Sequence, residues 1–140
     1  MARRLIIDTG VLIASERSGA PWPSPLADDQ VLADDDDLAI SAVTAAELFT
    51  GVQLAANRHR TARAEFVAKV LATIPIETYD LATAEAHGRL LAFAHRSGAR
   101  RGAHDLIIAA TALATRRTII TTDTNARFAD LPGVDCLVVG

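Results

Sequence analysis

Hydrophobic residues along the chain fall into short runs that alternate with longer segments of mixed apolar and polar character. A short apolar run bounded by polar residues is typical of a buried strand, because such a strand contacts other side chains on both faces of its sheet. Five runs predict strands: RRLII at 3–7, LAIS at 38–41, IPIE at 74–77, RTIIT at 117–121 and DCLVV at 135–139.

The longer segments place apolar residues at helical spacing. They predict helices at residues 43–56, 59–72, 81–96 and 104–115, and Gly98, just beyond the third, is a typical helix-ending residue. Alternating strands and helices predict an α/β fold, here a three-layer α/β/α domain with a short, mainly parallel central sheet. The chain has 140 residues, so we expect residues 1–140 to form a single domain.

The segment 18–37 interrupts the helical pattern, because it has prolines at the alternate positions 21, 23 and 25. We expect a loop that leads into a short helix. Its four consecutive acids, residues 34–37, do not converge on one point. A solvated turn before the second strand is therefore favoured over a cation site.

The amino-acid composition argues against several classes of protein. Half of the residues are hydrophobic and 22% are charged, which is typical of a globular domain and not of a disordered chain. No run approaches the roughly 20 apolar residues that span a bilayer. The single cysteine, Cys136, cannot form an internal disulfide. We therefore expect a cytoplasmic protein with no membrane partner.

The formal net charge of -3 gives no general attraction to nucleic acid. All of the 14 basic residues except Lys69 are nevertheless arginine, and several are grouped as Arg58/Arg60/Arg63, Arg96/Arg100/Arg101 and Arg116/Arg117. The planar guanidinium suits phosphate, so each group is either a local phosphate-binding patch or a solvated helix end.

Four acids lie where a predicted strand ends or in the first turns of a helix: Asp8, Glu47, Asp105 and Asp123. In an open parallel sheet, the carboxyl ends of the strands and the amino ends of the following helices share one edge, where ligands bind. The four side chains can therefore converge. Mg²⁺ prefers carboxylate oxygens and water, and it is usually held by one or two carboxylates. The pattern indicates a cation site at this edge.

Each acid also has a purely structural interpretation. Asp8 and Asp105 could stabilise the amino ends of their helices, and Asp123 could close an Asx turn. Thr44 and Glu47 have the spacing of a capping box. Capping does not explain why all four acids fall at one edge, since the helix that begins NRHR has no acid at its start. The shared location favours a functional site.

Several stretches resemble the successive motifs of PIN-domain ribonucleases, and most closely those of VapC toxins: LIIDTGVLIA, ISAVTAAELFTGV, AHGRLLAFAHRSGARRGAHDLIIAATALA, and TIITTD followed by FADLPGV. The resemblance extends from residue 4 to residue 139. It implies that Asp8, Glu47, Asp105 and Asp123 form a Mg²⁺ or Mn²⁺ site that cleaves RNA. In that family, the residues that match Asp8 and Asp105 are metal ligands, and the residue that matches Thr121 lies beside them.

The resemblance also implies a mechanism and partners. We expect an endoribonuclease toxin whose products carry 5′-phosphate and 3′-hydroxyl ends, because a water molecule attacks the phosphodiester. A small VapB-type antitoxin that covers the acidic crevice is the expected protein partner, and a homodimer is the expected assembly. The spacing after Asp123 differs from that of common relatives, which leaves open whether Asp123 or Asn125 faces the site.

Other chemistries have weaker support from the residues. A metal-independent ribonuclease would use two histidines, but His87 and His95 are two helical turns apart and are expected to be half-buried. His104 could contact substrate and is assigned no catalytic role. An aspartate-based phosphatase would have a second aspartate where this chain has Gly10, and a phosphotransfer domain would need a lysine other than the mid-helix Lys69. A non-catalytic PIN-like module that binds RNA or protein is the remaining alternative.

Overall fold

A computed structural model of the protein describes residues 2–23 and 32–140, in which a parallel sheet has helices on both faces. The strands are β1 (Arg4–Ile7), β2 (Asp37–Ser41), β3 (Ile76–Glu77), β4 (Thr118–Thr121) and β5 (Cys136–Val138). The helices are α1 (Thr9–Arg17), α2 (Ala42–Leu54), α3 (Asn57–Thr73), α4 (Leu81–Ser97) and α5 (Ala103–Thr115), and a short 3₁₀ helix spans Phe128–Asp130. The predicted alternation of strands and helices is confirmed.

The strands are ordered β3-β2-β1-β4-β5, and every pairing is parallel. From β1 the chain passes outward through β2 to β3, and it then returns to place β4 on the other side of β1. Leu5 accordingly pairs with Leu38 on one side and with Thr118 on the other. The winding direction reverses between β1 and β4. In sheets of this kind, the carboxyl ends of the strands at that reversal border the ligand-binding crevice.

Successive residues of β1 point to opposite faces of the sheet, and each face has its own core. Leu5 and Ile7 pack against residues of α1, α2 and α3, whereas Ile6 packs against residues of α4 and α5. The predicted three-layer α/β/α architecture is confirmed. Within the described ranges, no helix combines the length and apolar composition needed to cross a membrane.

The predicted boundaries lie within about two residues of the observed ones, and two of the differences have local reasons. The third strand is limited to Ile76–Glu77, because Ile74 closes α3 and Pro75 has no N–H to donate to the ladder. Helix α2 begins at Ala42 because the Ser41 hydroxyl caps it, accepting from the Thr44 N–H at 3.2 Å. The short helix expected within 18–37 lies outside the described residues.

The acidic run at 34–37 is only partly a solvated turn. Asp34 and Asp35 are exposed, but Asp36 receives two hydrogen bonds from the Arg3 guanidinium and its side chain is 2% exposed. These hydrogen bonds hold the pKa of the Asp36 carboxyl below its usual value. Asp37 begins β2 and pairs with Arg4 at 2.9 Å. The solvated-turn interpretation is therefore wrong for the second half of the run.

Arg117 is the most enclosed member of the arginine groups. Its side chain is 5% exposed, and its guanidinium donates to the Leu5 and Asp37 carbonyls and to the Asp37 and Glu77 carboxylates. One side chain thus connects the starts of β1, β2 and β4 with β3. The solvated-helix-end interpretation is wrong for Arg117, whereas its neighbour Arg116 is exposed.

We expect Arg117→Met to lower the free energy of unfolding by about 2 to 4 kcal/mol, because it removes the arginine that donates to the Glu77 carboxylate and to two strand carbonyls, and it leaves Asp37 with Arg4 alone. Urea denaturation at neutral pH measures the loss. Arg116→Met is the matched control, since it removes the same charge from an exposed side chain, and we expect a change within about 0.5 kcal/mol. An equal loss in both variants would contradict the role given to Arg117.

Candidate functional site

Asp8 follows the central strand β1 and is 6% exposed. Its Oδ1 accepts from the Thr9 N–H at 2.9 Å and caps helix α1, and its Oδ2 accepts from the Thr121 hydroxyl at 2.7 Å. The capping interpretation is therefore correct for Asp8, but it accounts for only one of the two oxygens. Burial raises the pKa of the Asp8 carboxyl, the charges of Glu47 and Asp123 add to the rise, and the two hydrogen bonds oppose it.

Glu47 lies beyond the first turn of α2 and is held by a pair of threonines. Thr9 Oγ1 lies 2.8 Å from Glu47 Oε1 and 3.0 Å from Thr44 Oγ1. A carboxylate only accepts hydrogen bonds, so Thr9 donates to Glu47 and receives its own hydrogen bond from Thr44. Because the helix cap is Ser41, the capping-box interpretation of Thr44 and Glu47 is wrong.

Asp105 lies in the first turn of α5, which begins after Gly102 without any side-chain cap. No hydrogen bond to its carboxylate is present in the described parts of the chain. A Cβ atom on Gly102 would lie 2.9 Å from Asp105 Oδ2, so this glycine leaves the room that the carboxylate occupies. Burial raises the pKa of the Asp105 carboxyl, and so do the charges of the other three acids, Asp8, Asp123 and Glu47.

Asp123 follows β4 and forms the predicted Asx turn. Its Oδ1 accepts from the backbone N–H groups of Asn125 at 2.8 Å and Ala126 at 3.3 Å. Its own N–H donates to Thr121 Oγ1 at 3.0 Å, and that hydroxyl in turn donates to Asp8. The charge of Asp123 acts on both Asp8 and Asp105. These contacts favour Asp123 over Asn125 as the residue that faces the crevice.

The four acids therefore lie near one another at the carboxyl ends of β1 and β4, the edge where a sheet of this topology has its ligand-binding crevice. The charges of Asp8, Asp123 and Glu47 raise the pKa of Asp105, and those of Glu47 and Asp123 also raise the pKa of Asp8. Across residues 2–23 and 32–140, however, no three carboxylate, imidazole or thiol groups lie close enough together to hold a metal ion among them. The four carboxylates are thus close enough for their charges to interact, as predicted. They are not close enough for three of them to bind one metal ion directly.

The donor set still fits a hard divalent cation. Two carboxylates are sufficient for Mg²⁺, which keeps several waters. Asp105 supplies a carboxylate that has no other partner in the described chain, and Asp8 is buried among like charges. Burial raises both pKa values and the neighbouring acids add to the rise, and a cation at this place would offset both effects. We conclude that Asp8 and Asp105 have the chemistry to hold an ion.

The histidines lie in different surroundings. His104 Nδ1 lies 3.6 Å from Glu47 Oε2, so it borders the crevice. His87 is half-buried as expected and bonds to the Tyr79 hydroxyl at 2.8 Å, but His95 is exposed, which corrects the expectation for that residue. The contacts thus give no pair of histidines for metal-independent cleavage in the described part of the chain.

Sequence reasoning missed the residues that hold the acids in place. Thr9 and Thr44 fix Glu47, and Gly102 makes room for Asp105. Thr9 directly follows Asp8, and Gly102 precedes Asp105 by three residues, so proximity to an acid was the available signal. No local pattern connects Thr44 with Thr9, because 35 residues separate them.

A known protein family matches most of this chain, and several solved structures have a similar fold. The PIN domain family matches residues 5–134. Among solved structures, the chain is similar to VapBC-5 from Mycobacterium tuberculosis at 30% identity and a TM-score of 0.73, covering 97% of this chain and 98% of that one. A comparison with curated proteins found no match.

Two further structures have a similar fold at lower identity. VapBC2 from Rickettsia felis, bound to a promoter DNA fragment, has a TM-score of 0.86 at 20% identity and covers 98% of this chain and 99% of that one. DNA-bound VapBC from Salmonella typhimurium has a TM-score of 0.83 at 21% identity, with 99% and 98% covered. The family match spans nearly the whole chain and contains all four acids of the crevice. The chain therefore belongs to the PIN domain family.

Proposed function

We propose that this protein is a Mg²⁺- or Mn²⁺-dependent endoribonuclease that acts as the toxin of a toxin–antitoxin pair. The observation that carries the proposal is the acidic crevice, in which burial and like charges raise the pKa values of Asp8 and Asp105. Such perturbed groups in a crevice are typical of functional sites. Membership of the PIN domain family and the likeness to VapBC proteins support the same function.

In this proposal, Asp8 and Asp105 hold the ion. When bound there, a divalent cation would make a water molecule a better nucleophile and would offset negative charge on the phosphodiester. Glu47, held by Thr9, and Asp123, held in its Asx turn, orient the water that attacks. Thr121 donates to Asp8 Oδ2 and so leaves the position of that carboxylate fixed before substrate arrives.

The start of α5 is suited to the phosphate of the substrate. Gly102 provides no side-chain cap, so the first-turn N–H groups have no side-chain acceptor. Such groups, together with the helix dipole, favour an anion. His104 borders the same place and would contact the RNA strand. Because water attacks and the 2′-hydroxyl takes no part, cleavage leaves 5′-phosphate and 3′-hydroxyl ends.

A VapB-type antitoxin and a second copy of the chain are the partners in this proposal. The similar structures are of VapBC complexes, two of them bound to DNA. Large apolar side chains are exposed on this chain, among them Leu54 at 81% and Leu81 at 83%. An interaction site would require such side chains to form one contiguous patch, which a partner would cover. Light scattering of the purified chain measures whether it forms the proposed homodimer.

We expect Asp105→Asn to lower the RNA cleavage rate by more than about 100-fold, the upper range for changes beside a metal ligand, because it removes one of two ion-binding carboxylates. Cleavage of a defined RNA with Mg²⁺ or Mn²⁺, followed by end-group analysis, measures the rate and the products. Asp34→Asn is the matched control, since it removes an exposed acid of the 34–37 run.

Two outcomes of that experiment would contradict the proposal. Products with 2′,3′-cyclic phosphate ends would mean that the RNA 2′-hydroxyl is the nucleophile. Metal binding by the wild-type protein without any RNA cleavage would favour a non-catalytic PIN-like binding module. If Asp105 merely stabilised its helix, Asp105→Asn would instead lower the melting temperature and leave activity unchanged.

We expect the metal-free protein to lose stability as pH rises above the ordinary carboxyl value of 3.8. The folded-state pKa values of Asp8 and Asp105 are raised, so between the unfolded and folded values the folded state binds more protons, and the free energy of unfolding falls with increasing pH. Urea denaturation from about pH 4 to about pH 7 should therefore show a shallower decline for Asp105→Asn than for wild type. If the free energy of unfolding falls with pH equally in both proteins, ionisation of Asp105 does not destabilise the fold.

We expect Gly102→Ala to weaken Mn²⁺ binding about 10-fold, because the added Cβ displaces the Asp105 carboxylate. The backbone at Gly102, with φ -63° and ψ 136°, suits alanine, so the stability should change by less than about 1 kcal/mol. Calorimetric titration and thermal melting measure both quantities. Gly88→Ala is the control, since a Cβ there meets no atom within 4 Å; equal ion affinity in the two variants would count against the displacement.

A further inference from the structure

Arg101 lies in the short segment between α4 and α5, and it crosses to a distant loop. Its Nη1 donates to the Ala126 carbonyl at 2.9 Å and to the Arg127 carbonyl at 2.8 Å. Both carbonyls belong to the loop that follows β4 and carries Asp123. A single guanidinium nitrogen thus joins the start of α5 to this loop.

The carbonyls that Arg101 holds are directly connected to the Asp123 carboxylate. The Ala126 N–H donates to Asp123 Oδ1, while the Ala126 carbonyl accepts from Arg101. One residue of the loop is therefore fixed on one side by the acid and on the other side by the arginine. Any movement of the Ala126 backbone would alter the hydrogen bonding of Asp123.

The loop has a local reason to need this restraint. Arg127 has a positive φ of 48°, a left-handed conformation that side chains other than glycine adopt at an energetic cost. Such a conformation persists only when its surroundings hold it. The buried Phe128 anchors the loop in the core on one side of Arg127, and Arg101 holds the Ala126 and Arg127 carbonyls on the other.

Arg101 is also close in sequence to the second acid of the site. It directly precedes Gly102, the residue before α5, and Asp105 lies in the first turn of that helix. We propose that Arg101 is a positioning residue, which fixes the Asp123 loop against the start of α5 and so sets the position of Asp123 relative to Asp105. The inference rests on the proposed function, because only in that function do these two acids act together.

The hydrogen bonds of Arg101 are made by Nη1 alone, and its Nη2 makes none within the described chain. Its Nη1 is already used by two carbonyls, and its Nε is buried without a partner in the described chain. The adjacent Arg100 is exposed and makes no hydrogen bond within the described ranges. The two arginines carry the same charge at neighbouring positions, but only Arg101 contacts the loop. Arg100 is therefore a matched control.

The experiment compares Arg101→Met, Arg101→Lys and Arg100→Met with wild type in the full chain. Amide hydrogen exchange measured by NMR in the metal-free protein reports on the loop. In Arg101→Met we expect the Asn125 and Ala126 amides to exchange about 10-fold faster while the amides of α5 keep their wild-type rates. Arg101→Lys should restore slow exchange in part, because an ammonium can still donate to both carbonyls. Arg100→Met should leave these rates unchanged.

Ion affinity and catalysis give the second measurement. In Arg101→Met we expect Mn²⁺ affinity and kcat each to fall about 10-fold, the lower range for groups that support a metal ligand, with KM for RNA unchanged. In an Asp123→Ala background, Arg101→Met should add no further loss, because its effect passes through Asp123. Wild-type exchange rates at Asn125 and Ala126 in Arg101→Met would overturn the inference.

The remaining outcomes are also decisive. A raised KM with unchanged kcat in Arg101→Met would make the residue an RNA contact and overturn the positioning role. If Arg101→Met fails to fold, the same comparisons are made with Arg101→Lys, which keeps the charge. If the wild-type protein cleaves no RNA, the proposed function fails, while the exchange rates and Mn²⁺ affinity still decide whether Arg101 positions the loop.

Discussion

The structure depends on a carboxylate that is buried at the end of the central strand. Asp8 is almost inaccessible and lies within the electrostatic range of two other acids, which opposes its ionisation. The N–H of Thr9 and the hydroxyl of Thr121 offset part of this cost. These two donors come from α1 and β4, so a correctly packed fold is needed to bury Asp8. The same packing brings Asp105 and Asp123 to the crevice.

The two ends of the central strands differ in how their charges are balanced. Near the starts of β1 and β2, acids are paired with arginines: Asp36 with Arg3, and Asp37 with Arg4 and Arg117. At the carboxyl ends, neither Asp8 nor Asp105 forms an ion pair with an arginine or lysine of the described residues, whereas Glu47 lines a cavity with Arg17 and Arg63 and lies 3.6 Å from His104 Nδ1. The paired charges stabilise the sheet, whereas the charges of Asp8 and Asp105 have no such partner among the described residues.

The features that could be predicted from the sequence are those that depend on residues close together in the chain. The spacing of apolar residues is a property of each segment, and it predicted the strands, the four longer helices and the α/β class to within a few residues. The rule that carboxyl ends of parallel strands share one edge then predicted which acids lie together. The predicted and observed boundaries differ where a single residue sets the end of an element. Ser41 sets the start of α2, and Pro75 sets the start of β3.

Tertiary structure decided which partner each polar side chain has. The sequence has no pattern that joins Thr9 to Glu47, Arg101 to Ala126, or Arg117 to Leu5, because these residues are 25 to 112 positions apart. Their contacts exist only after the strands have been ordered and the helices packed. Local sequence therefore determined the elements and the positions of the acids, whereas the contacts that hold those acids, and the solvation that sets their pKa values, depend on long-range packing.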